Sequence, residues 1–171
     1  MRSKTFETER LCIIPTTEND ARFIYELLNT PKWIKHIGDR GIKTIEHAKD
    51  YIKEKMIPKL ERLGYSNYTL IRKDNNEKIG ICGLYDREGL EEVDIGFAFL
   101  PKYEKKGYAF EASSKVRDIA FNEFKIKKIS AITTKDNISF QKLLEKLGFI
   151  FTGKTKLPSD AEELLVYKIE K

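Results

Sequence analysis

The sequence predicts an α+β fold with a mixed, mostly antiparallel central sheet of about six or seven strands and helices on both faces. Hydrophobic runs with a two-residue period occupy residues 65–100, and runs with a helical period lie on either side of them. A strand, a helix and a strand follow one another over residues 91–133, an order that usually places the two strands parallel in one sheet. With 171 residues, 40% of them hydrophobic, the chain is expected to form one domain over residues 1–171.

The first third of the chain is predicted to hold one strand and two helices. Residues 10–15 form the strand, and Thr17 caps the first helix. Residues 30–40, a mixed segment that contains Pro31, Trp33 and Gly38, are expected to be an irregular loop. Thr44 begins a second, charged helix whose apolar residues recur at every fourth position.

The rest of the chain is predicted to supply the sheet. Its strands are expected at residues 65–72, 78–85, 91–100, 128–133, 149–156 and 163–169. A long helix runs from Gly107 to about residue 124, and a short one begins at Asn137 and ends at Gly148, which suits a C-terminal cap.

Composition and charge exclude several classes of protein. No tract is dominated by Pro, Gly or Ser, which excludes collagen-like and low-complexity chains. The net charge is +5, but basic residues alternate with acidic ones, so no nucleic-acid partner is expected. No apolar window suits a membrane span or a signal peptide, so we expect a cytoplasmic protein with no membrane partner. Two isolated cysteines and two histidines predict no disulfide framework and no metal site.

The most informative stretch lies between the strand at 91–100 and the helix after Gly107. Lys105 and Lys106 precede the glycine, and the free backbone N–H groups of a helix N-terminus carry a partial positive charge. The stretch is neither a dinucleotide fingerprint nor a P-loop, because G-x-G-x-x-G and Gly-Lys-Ser/Thr are both absent. We interpret it as a phosphate-binding turn. The alternative is a tight turn whose lysines are merely solvated.

Three segments resemble the GCN5-related N-acetyltransferases (GNAT). Residues 104–112, EKKGYAFEA, resemble the family's Gln/Arg-x-x-Gly-x-Gly/Ala segment, and residues 136–149, DNISFQKLLEKLGF, resemble its later Asn…Glu-Lys-x-Gly-Phe segment. Residues 8–15, TERLCIIP, resemble the opening strand of its Rim-type branch, the ribosomal-protein N-terminal acetyltransferases and their relatives. The match covers nearly the whole chain, and the order of the segments is its most specific feature.

The resemblance implies the GNAT fold, in which the strands at 91–100 and 128–133 are parallel and splay apart to form the acetyl-CoA cleft. The pantetheine arm would pair with the main chain of residues 97–100, and a backbone N–H near Phe97 or Ala98 would stabilise the oxyanion. The expected cofactor-binding residues are Phe97, Ala98, Phe99, Leu100, Glu104, Lys105, Lys106, Gly107, Tyr108, Ala109, Asn137 and Ser139. An Asn before a helix is equally an ordinary N-cap.

The implied activity is direct acetyl transfer from acetyl-CoA, as co-substrate, to a primary amine in a ternary complex without a metal. The acceptor is either a protein N-terminus or a small amine. Deprotonation at pH 7 costs a lysine-like amine about 4–5 kcal/mol and an α-amine about 1–1.4 kcal/mol. Asp94 stands where family members often carry a carboxylate proposed as base, and Glu92 lies two residues earlier on the same face. Each can instead be a solvated strand residue.

Two departures from the family pattern stand out. Glu104 replaces the usual Gln, Arg or Trp, and Leu144 replaces a tyrosine that acts as general acid in many members. The departing thiolate would then take its proton from water, Ser139 or Tyr103, and a non-catalytic acyl-CoA sensor stays an alternative. Acceptor contacts are expected from the 30–40 loop, through Trp33, His36 and Arg40, although a loop histidine is also ordinary in solvent. The protein is expected to be a monomer or a homodimer.

Overall fold

The computed structural model describes residues 4–158 and 162–171 and centres on an eight-stranded sheet. The strands are β1 (Phe6–Glu7), β2 (Leu11–Pro15), β3 (Asn67–Arg72), β4 (Lys78–Tyr85), β5 (Val93–Phe99), β6 (Lys128–Thr133), β7 (Ile150–Thr155) and β8 (Leu164–Glu170). Their order across the sheet is β1-β2-β3-β4-β5-β6-β8-β7. The predicted mixed, mostly antiparallel sheet is confirmed. The predicted strand count is one too low, because two-residue β1 is too short to show an alternating pattern.

Six α-helices accompany the sheet in the described residues. They are α1 (Ala21–Leu28), α2 (Pro31–His36), α3 (Ile45–Tyr51), α4 (Ile57–Leu63), α5 (Tyr108–Asn122) and α6 (Ile138–Lys146). A π-helical turn, Ile52–Met56, joins α3 to α4, and a 3-10 turn, Pro101–Tyr103, follows β5. Thr44 caps α3 through its side chain, as the sequence predicted.

The expectation of an irregular loop at residues 30–40 is wrong, because α2 occupies most of it. The Thr30 hydroxyl accepts a hydrogen bond from the backbone N–H of Trp33, at 3.3 Å. Pro31 is the first residue of the helix, where a missing N–H costs no hydrogen bond. The proline therefore begins a helix at this position instead of interrupting one.

Helix α5 packs against the centre of the sheet, on β4 and β5. Its buried face includes Ala112, Val116 and Ala120, whose small or compact side chains allow a close approach. Because α5 follows β5 after a short turn, its N-terminus lies beside the C-terminal end of β5.

The parallel pair β5 and β6 stays together over a short stretch only. Val93 lies opposite Ile129 and Asp94 opposite Ser130, and the pairing ends there. Beyond these residues β5 remains bonded to β4, and β6 to β8, so the two halves of the sheet separate. The predicted parallel pair is confirmed, and its early end leaves a gap within the sheet.

Candidate functional site

A cleft opens at the point where β5 and β6 separate. Its volume is about 1700 Å³, and its lining includes Phe97 on β5 and Ile132 on β6. The ring of Phe97 meets the ring of Phe140 on α6 edge to face, with 4.8 Å between the centroids. The cleft thus combines length with partly apolar walls, as sites for organic ligands commonly do.

One end of the cleft is the turn between β5 and α5. Lys105 and Gly107 adopt left-handed backbone conformations, with φ of 60° and 84°, and Gly107 precedes the 15-residue α5 without a side-chain cap. Within the part of the chain that the structure describes, the backbone N–H groups of residues 105–110 have no acceptor. Successive free N–H groups at a helix N-terminus bind anions. This turn is therefore suited to a phosphate group.

The edge of β5 offers further backbone groups to the cleft. The N–H of Leu100 donates to the carbonyl of Ile79 on β4, at 2.9 Å. Along an antiparallel strand the backbone groups turn to alternate sides, so the even-numbered residues of β5 bond to β4. The odd-numbered Phe97 and Phe99 turn their N–H and C=O groups to the opposite side. Because β6 no longer pairs there, these groups face the cleft.

Most of the residues that the sequence predicted for binding line this cleft. They are Trp33, His36, Arg40, Asp94, Phe97, Ala98, Phe99, Glu104, Lys105, Gly107, Tyr108, Ala109, Asn137 and Ser139. Leu100, Lys106 and Glu92 are not among the lining residues. Leu100 is buried, and its N–H is bonded to β4. The carbonyl of Lys106 accepts a hydrogen bond from Arg10.

Asp94 lies at the closed end of the cleft, where β5 and β6 are still paired. Its side chain is only 1% exposed. Arg87 Nε lies 3.0 Å from its Oδ1 and 2.9 Å from its Oδ2. Burial raises the pKa of Asp94, and the charge and hydrogen bonds of Arg87 oppose that rise. The alternative of a solvated strand residue is therefore wrong for Asp94.

Glu92 is directed away from the cleft. Its Oε1 accepts a hydrogen bond from Lys168 Nζ on β8, at 3.0 Å. Lys168 lies opposite Ser130, and Ser130 lies opposite Asp94, so Lys168 and Asp94 are on the same face of the sheet. Glu92 therefore contacts the face that carries Asp94, as the sequence predicted, but its ion pair with Lys168 holds it toward β8 and outside the cleft lining.

Helix α2 reaches across the cleft from the end of β5 to the end of β6. Lys32 Nζ lies 3.2 Å from Glu104 Oε2, and His36 Nδ1 lies 3.2 Å from Thr134 Oγ1. Between these anchors Trp33 is 9% exposed, and its Nε1 has no hydrogen-bond partner among the described residues. An unpaired buried donor costs about 1–3 kcal/mol. The indole N–H of Trp33 is therefore a candidate contact for a ligand.

Helix α6 contributes a cap and a buried face. Asn137 Oδ1 accepts a hydrogen bond from the backbone N–H of Phe140, at 3.4 Å, so Asn137 is the N-cap that one interpretation of the sequence expected. The Ser139 hydroxyl donates to the same oxygen, at 3.3 Å. Leu144 is fully buried in the core. No hydroxyl stands at the position where the family pattern has a tyrosine.

Two residues at the closed end, Tyr85 and Arg87, were not predicted from the sequence. The Arg87 guanidinium lies over the Tyr85 ring, 5.0 Å from its centroid. The Tyr85 hydroxyl donates to Asn67 Oδ1 at 2.6 Å, and a β-carbon built on Gly83 would lie 2.5 Å from that hydroxyl. Gly83 lies opposite Gly96, so the ring occupies a floor without side chains. Gly83 and Gly96 were the feature of the sequence from which a large side chain packed over the strands at this point could have been predicted.

Two absences concern residues 4–158 and 162–171. None of their helices has the length and apolar character needed to cross a membrane. Nor do they contain a cluster of three or more His, Cys, Asp or Glu side chains arranged to hold a metal ion.

A family model described as acetyltransferase (GNAT) domain matches residues 10–150. The chain is 33% identical over 108 residues to the uncharacterized N-acetyltransferase YjdG of Bacillus subtilis (strain 168), an alignment that covers 61% of this chain and 63% of that protein. This chain therefore spans less than two thirds of YjdG. It is 28% identical over 144 residues to the uncharacterized N-acetyltransferase YoaA of the same organism, with 84% and 81% covered.

Solved structures share the fold over almost the full length. An acetyltransferase (GNAT family) from Bacillus anthracis superposes with a TM-score of 0.80 at 25% identity, covering 98% of each chain. A ribosomal-protein-S5-alanine acetyltransferase from Vibrio fischeri gives a TM-score of 0.80 at 18% identity, covering 98% of this chain and 96% of that one. A RimL ribosomal L7/L12 alpha-N-protein acetyltransferase, solved in complex with coenzyme A, gives a TM-score of 0.83 at 15% identity, covering 98% of each chain.

Proposed function

This chain belongs to the GNAT family of N-acetyltransferases, and from that premise we propose that it transfers an acetyl group from acetyl-CoA directly to a primary amine in a ternary complex. One observation carries the proposal: a turn with free backbone amides stands at the mouth of the gap between β5 and β6. A ligand with a diphosphate at one end and a long, thin arm at the other fits this combination. Coenzyme A has that form.

The diphosphate is held by the turn. The N–H groups of residues 105–110 are free to donate, and the dipole of α5 adds favourable potential at the same place. The left-handed φ of 84° at Gly107 suits a residue without a β-carbon, and the side chain of Lys105 adds a positive charge at the cleft wall. Most of the binding energy at this end therefore comes from the main chain.

The acetyl group lies beside the free edge of β5. The N–H of Phe97 faces the gap, whereas the N–H of Ala98 belongs to the set that bonds to β4. Of the two donors that the sequence left open for the oxyanion, we therefore choose Phe97. A rigid strand amide is already oriented before reaction, so it stabilises developing negative charge without reorganising.

Asp94 is the proposed base. It lies at the closed end of the cleft, and the rise in its pKa that burial causes is the direction that favours proton uptake from an ammonium near neutral pH. Arg87 fixes the carboxylate by two short contacts from Nε. Because no tyrosine stands at Leu144, the leaving thiolate takes its proton from water or from Ser139 or Tyr103, which both line the cleft.

The proposed acceptor is an α-amine at a protein N-terminus. The cleft volume of about 1700 Å³, above the roughly 300–1,000 Å³ of ordinary small-molecule pockets, gives room for the coenzyme and an acceptor together. An α-amine also costs less to deprotonate than a lysine-like amine, which suits a single buried carboxylate. A small amine is the other acceptor class.

Free thiols at Cys12 and Cys82 support the cytoplasm as the compartment.

A second candidate function is a sensor that binds acyl-CoA without catalysis. It is favoured by Leu144, which is fully buried where the family's general acid would stand. The two functions share the turn and the gap and differ only in turnover.

The deciding experiment measures thiol release from acetyl-CoA against peptides with different first residues and against a panel of small amines. Steady release with at least one peptide supports the proposal, and release with small amines alone redirects the acceptor class. Calorimetric binding of acetyl-CoA with no release across both panels identifies the sensor. No binding of acetyl-CoA overturns both functions.

A further inference from the structure

Arg10, just before β2, contacts the phosphate-binding turn although the two are remote in sequence. Its Nη1 donates to the carbonyl of Lys106 at 3.1 Å. Its guanidinium carbon lies 4.2 Å from the centroid of the Tyr108 ring. A β-carbon built on Gly107 would lie 3.3 Å from Arg10 Nη2. A side chain remote in sequence thus contacts Lys106 and Tyr108 and lies beside the Gly107 between them.

The bond to the Lys106 carbonyl determines how one peptide unit is oriented. In a trans peptide the C=O of one residue and the N–H of the next point in opposite directions. By holding the carbonyl of Lys106 on its own side, Arg10 turns the N–H of Gly107 to the other side. Gly107 lines the cleft and Arg10 does not, so that other side is the cleft.

The position of Arg10 is itself fixed by Glu111 on the first turn of α5. Glu111 Oε1 accepts from Arg10 Nε at 2.7 Å, and its Oε2 accepts from the Arg10 backbone N–H at 3.0 Å. The hydroxyl of Thr8 donates to Oε2 as well. Arg10 is therefore bound through both its backbone and its side chain to the helix whose N-terminus holds the anion.

We propose that Arg10 is a positioning residue for the diphosphate of coenzyme A, which orients the Lys106–Gly107 peptide and holds its amide toward the cleft. The inference rests on the proposed function, because it needs coenzyme A as the ligand of the turn. It predicts an effect confined to ligands that carry the diphosphate. A residue that only stabilises the fold would affect all ligands of the cleft alike.

The test compares the calorimetric affinity for CoA with that for pantetheine, which lacks the diphosphate and is measured by competition with CoA. Arg10→Gln is expected to weaken CoA binding about tenfold or more, the scale of a hydrogen bond to a charged group. Pantetheine binding is expected to stay within about twofold of its starting value, since the peptide oriented by Arg10 contacts only the diphosphate. Arg10→Lys retains the charge with a different donor geometry, and its CoA affinity is expected to lie between those of the wild-type protein and Arg10→Gln.

Arg117→Gln is the matched control. Arg117 lies further along α5, and its Nη1 donates to the carbonyl of Leu147 at 2.7 Å, the same kind of bond at a place remote from the turn. This variant is expected to leave the ratio of CoA to pantetheine affinity unchanged. Thermal unfolding of each variant is followed in parallel. If Arg10→Gln fails to fold, the ratio of CoA affinity to pantetheine affinity is measured in Arg10→Lys and Glu111→Gln instead.

An equal loss for CoA and pantetheine, or no loss for CoA, overturns the positioning role. The second result leaves the proposed function intact if the wild-type protein still releases thiol. If the wild-type protein does not bind CoA at all, the proposed function fails, and the role of Arg10 fails with it.

Discussion

The two ends of the cleft differ in the groups that form them, main-chain amides at one end and side chains at the other. The phosphate-binding turn consists of main-chain amides from one continuous segment, residues 105–110. The closed end consists of side chains that come from separate strands and turns, with Asp94 held by Arg87, whose guanidinium lies over the Tyr85 ring. A site made of backbone tolerates most side-chain changes and fails when the backbone conformation changes. A site made of side chains fails one residue at a time.

The largest expected effect is at the turn, from Gly107→Val. Valine is disfavoured at a φ of 84°, which strains the turn backbone, and its β-carbon would lie 3.3 Å from Arg10 Nη2, which must shift slightly. We expect the affinity for CoA, measured by calorimetry, to fall by about a hundredfold or more, because several amides are displaced together.

Gly64→Val is the control for this change. Gly64 ends α4 with a φ of 85°, so valine imposes similar backbone strain far from the turn. Both variants are expected to lose about 1–3 kcal/mol of stability, and only Gly107→Val to lose CoA affinity. Equal CoA affinity in the two variants would contradict a turn made of amides.

The same contrast explains what the sequence could and could not predict. The turn was identified from nine consecutive residues, because a strand end, a glycine and a helix start are local features. The choice of Phe97 over Ala98 needed the pairing of β4 with β5, which no local pattern contains. Helix α2 was missed because Pro31 both ends and begins helices. The contact of Arg10 with Glu111 joins residues 101 positions apart and left no signal in either segment.

Asp94→Asn is expected to produce the next largest effect, at the closed end. Without the carboxylate, turnover near pH 6–7 should fall by about a hundredfold, within the usual range for loss of a general base. The deficit should shrink toward pH 9, where more of the amine is already neutral. The measurement is kcat/KM against pH, with CoA affinity expected to stay unchanged because the turn is remote. A deficit of constant size at all pH values would indicate a structural role.

Two companion variants sharpen this result. Arg87→Gln removes the charge that opposes the burial-driven rise in the pKa of Asp94, so the acidic limb of the profile should move to higher pH. A movement of the acidic limb to lower pH would contradict the assignment of Asp94 as the base. Asp118→Asn removes one carboxylate charge, as Asp94→Asn does, but on an exposed part of α5, and it should leave the profile in place.

A smaller effect is expected from Trp33→Phe, which removes the indole N–H and keeps a smaller aromatic ring. If that donor binds a ligand, the KM for the amine should rise about three- to tenfold, while kcat stays near its original value. Stability should fall modestly, because phenylalanine is smaller than the buried indole and leaves a cavity, although the loss of Nε1 removes no hydrogen bond among the described residues. Trp33 is the chain's one tryptophan, so its fluorescence in the wild-type protein should also change when acetyl-CoA binds. An unchanged KM would leave the indole with a packing role.

The smallest effect concerns Glu111, which supports the turn without touching the ligand. Burial alone would raise the pKa of Glu111, but hydrogen bonds from Thr8 and Arg10 outweigh it and lower that pKa below the ordinary value of 4.5. A carboxyl group with a lowered pKa in the folded state stabilises the protein above its unfolded-state pKa and loses that contribution as the pH falls through the folded value. Glu111→Gln should therefore cost about 1 kcal/mol near pH 7, and the difference from wild type should shrink as the pH falls below 4.5. Urea unfolding between pH 3 and pH 7 measures this, and a difference that does not vary with pH would show that the Glu111 charge does not support the turn.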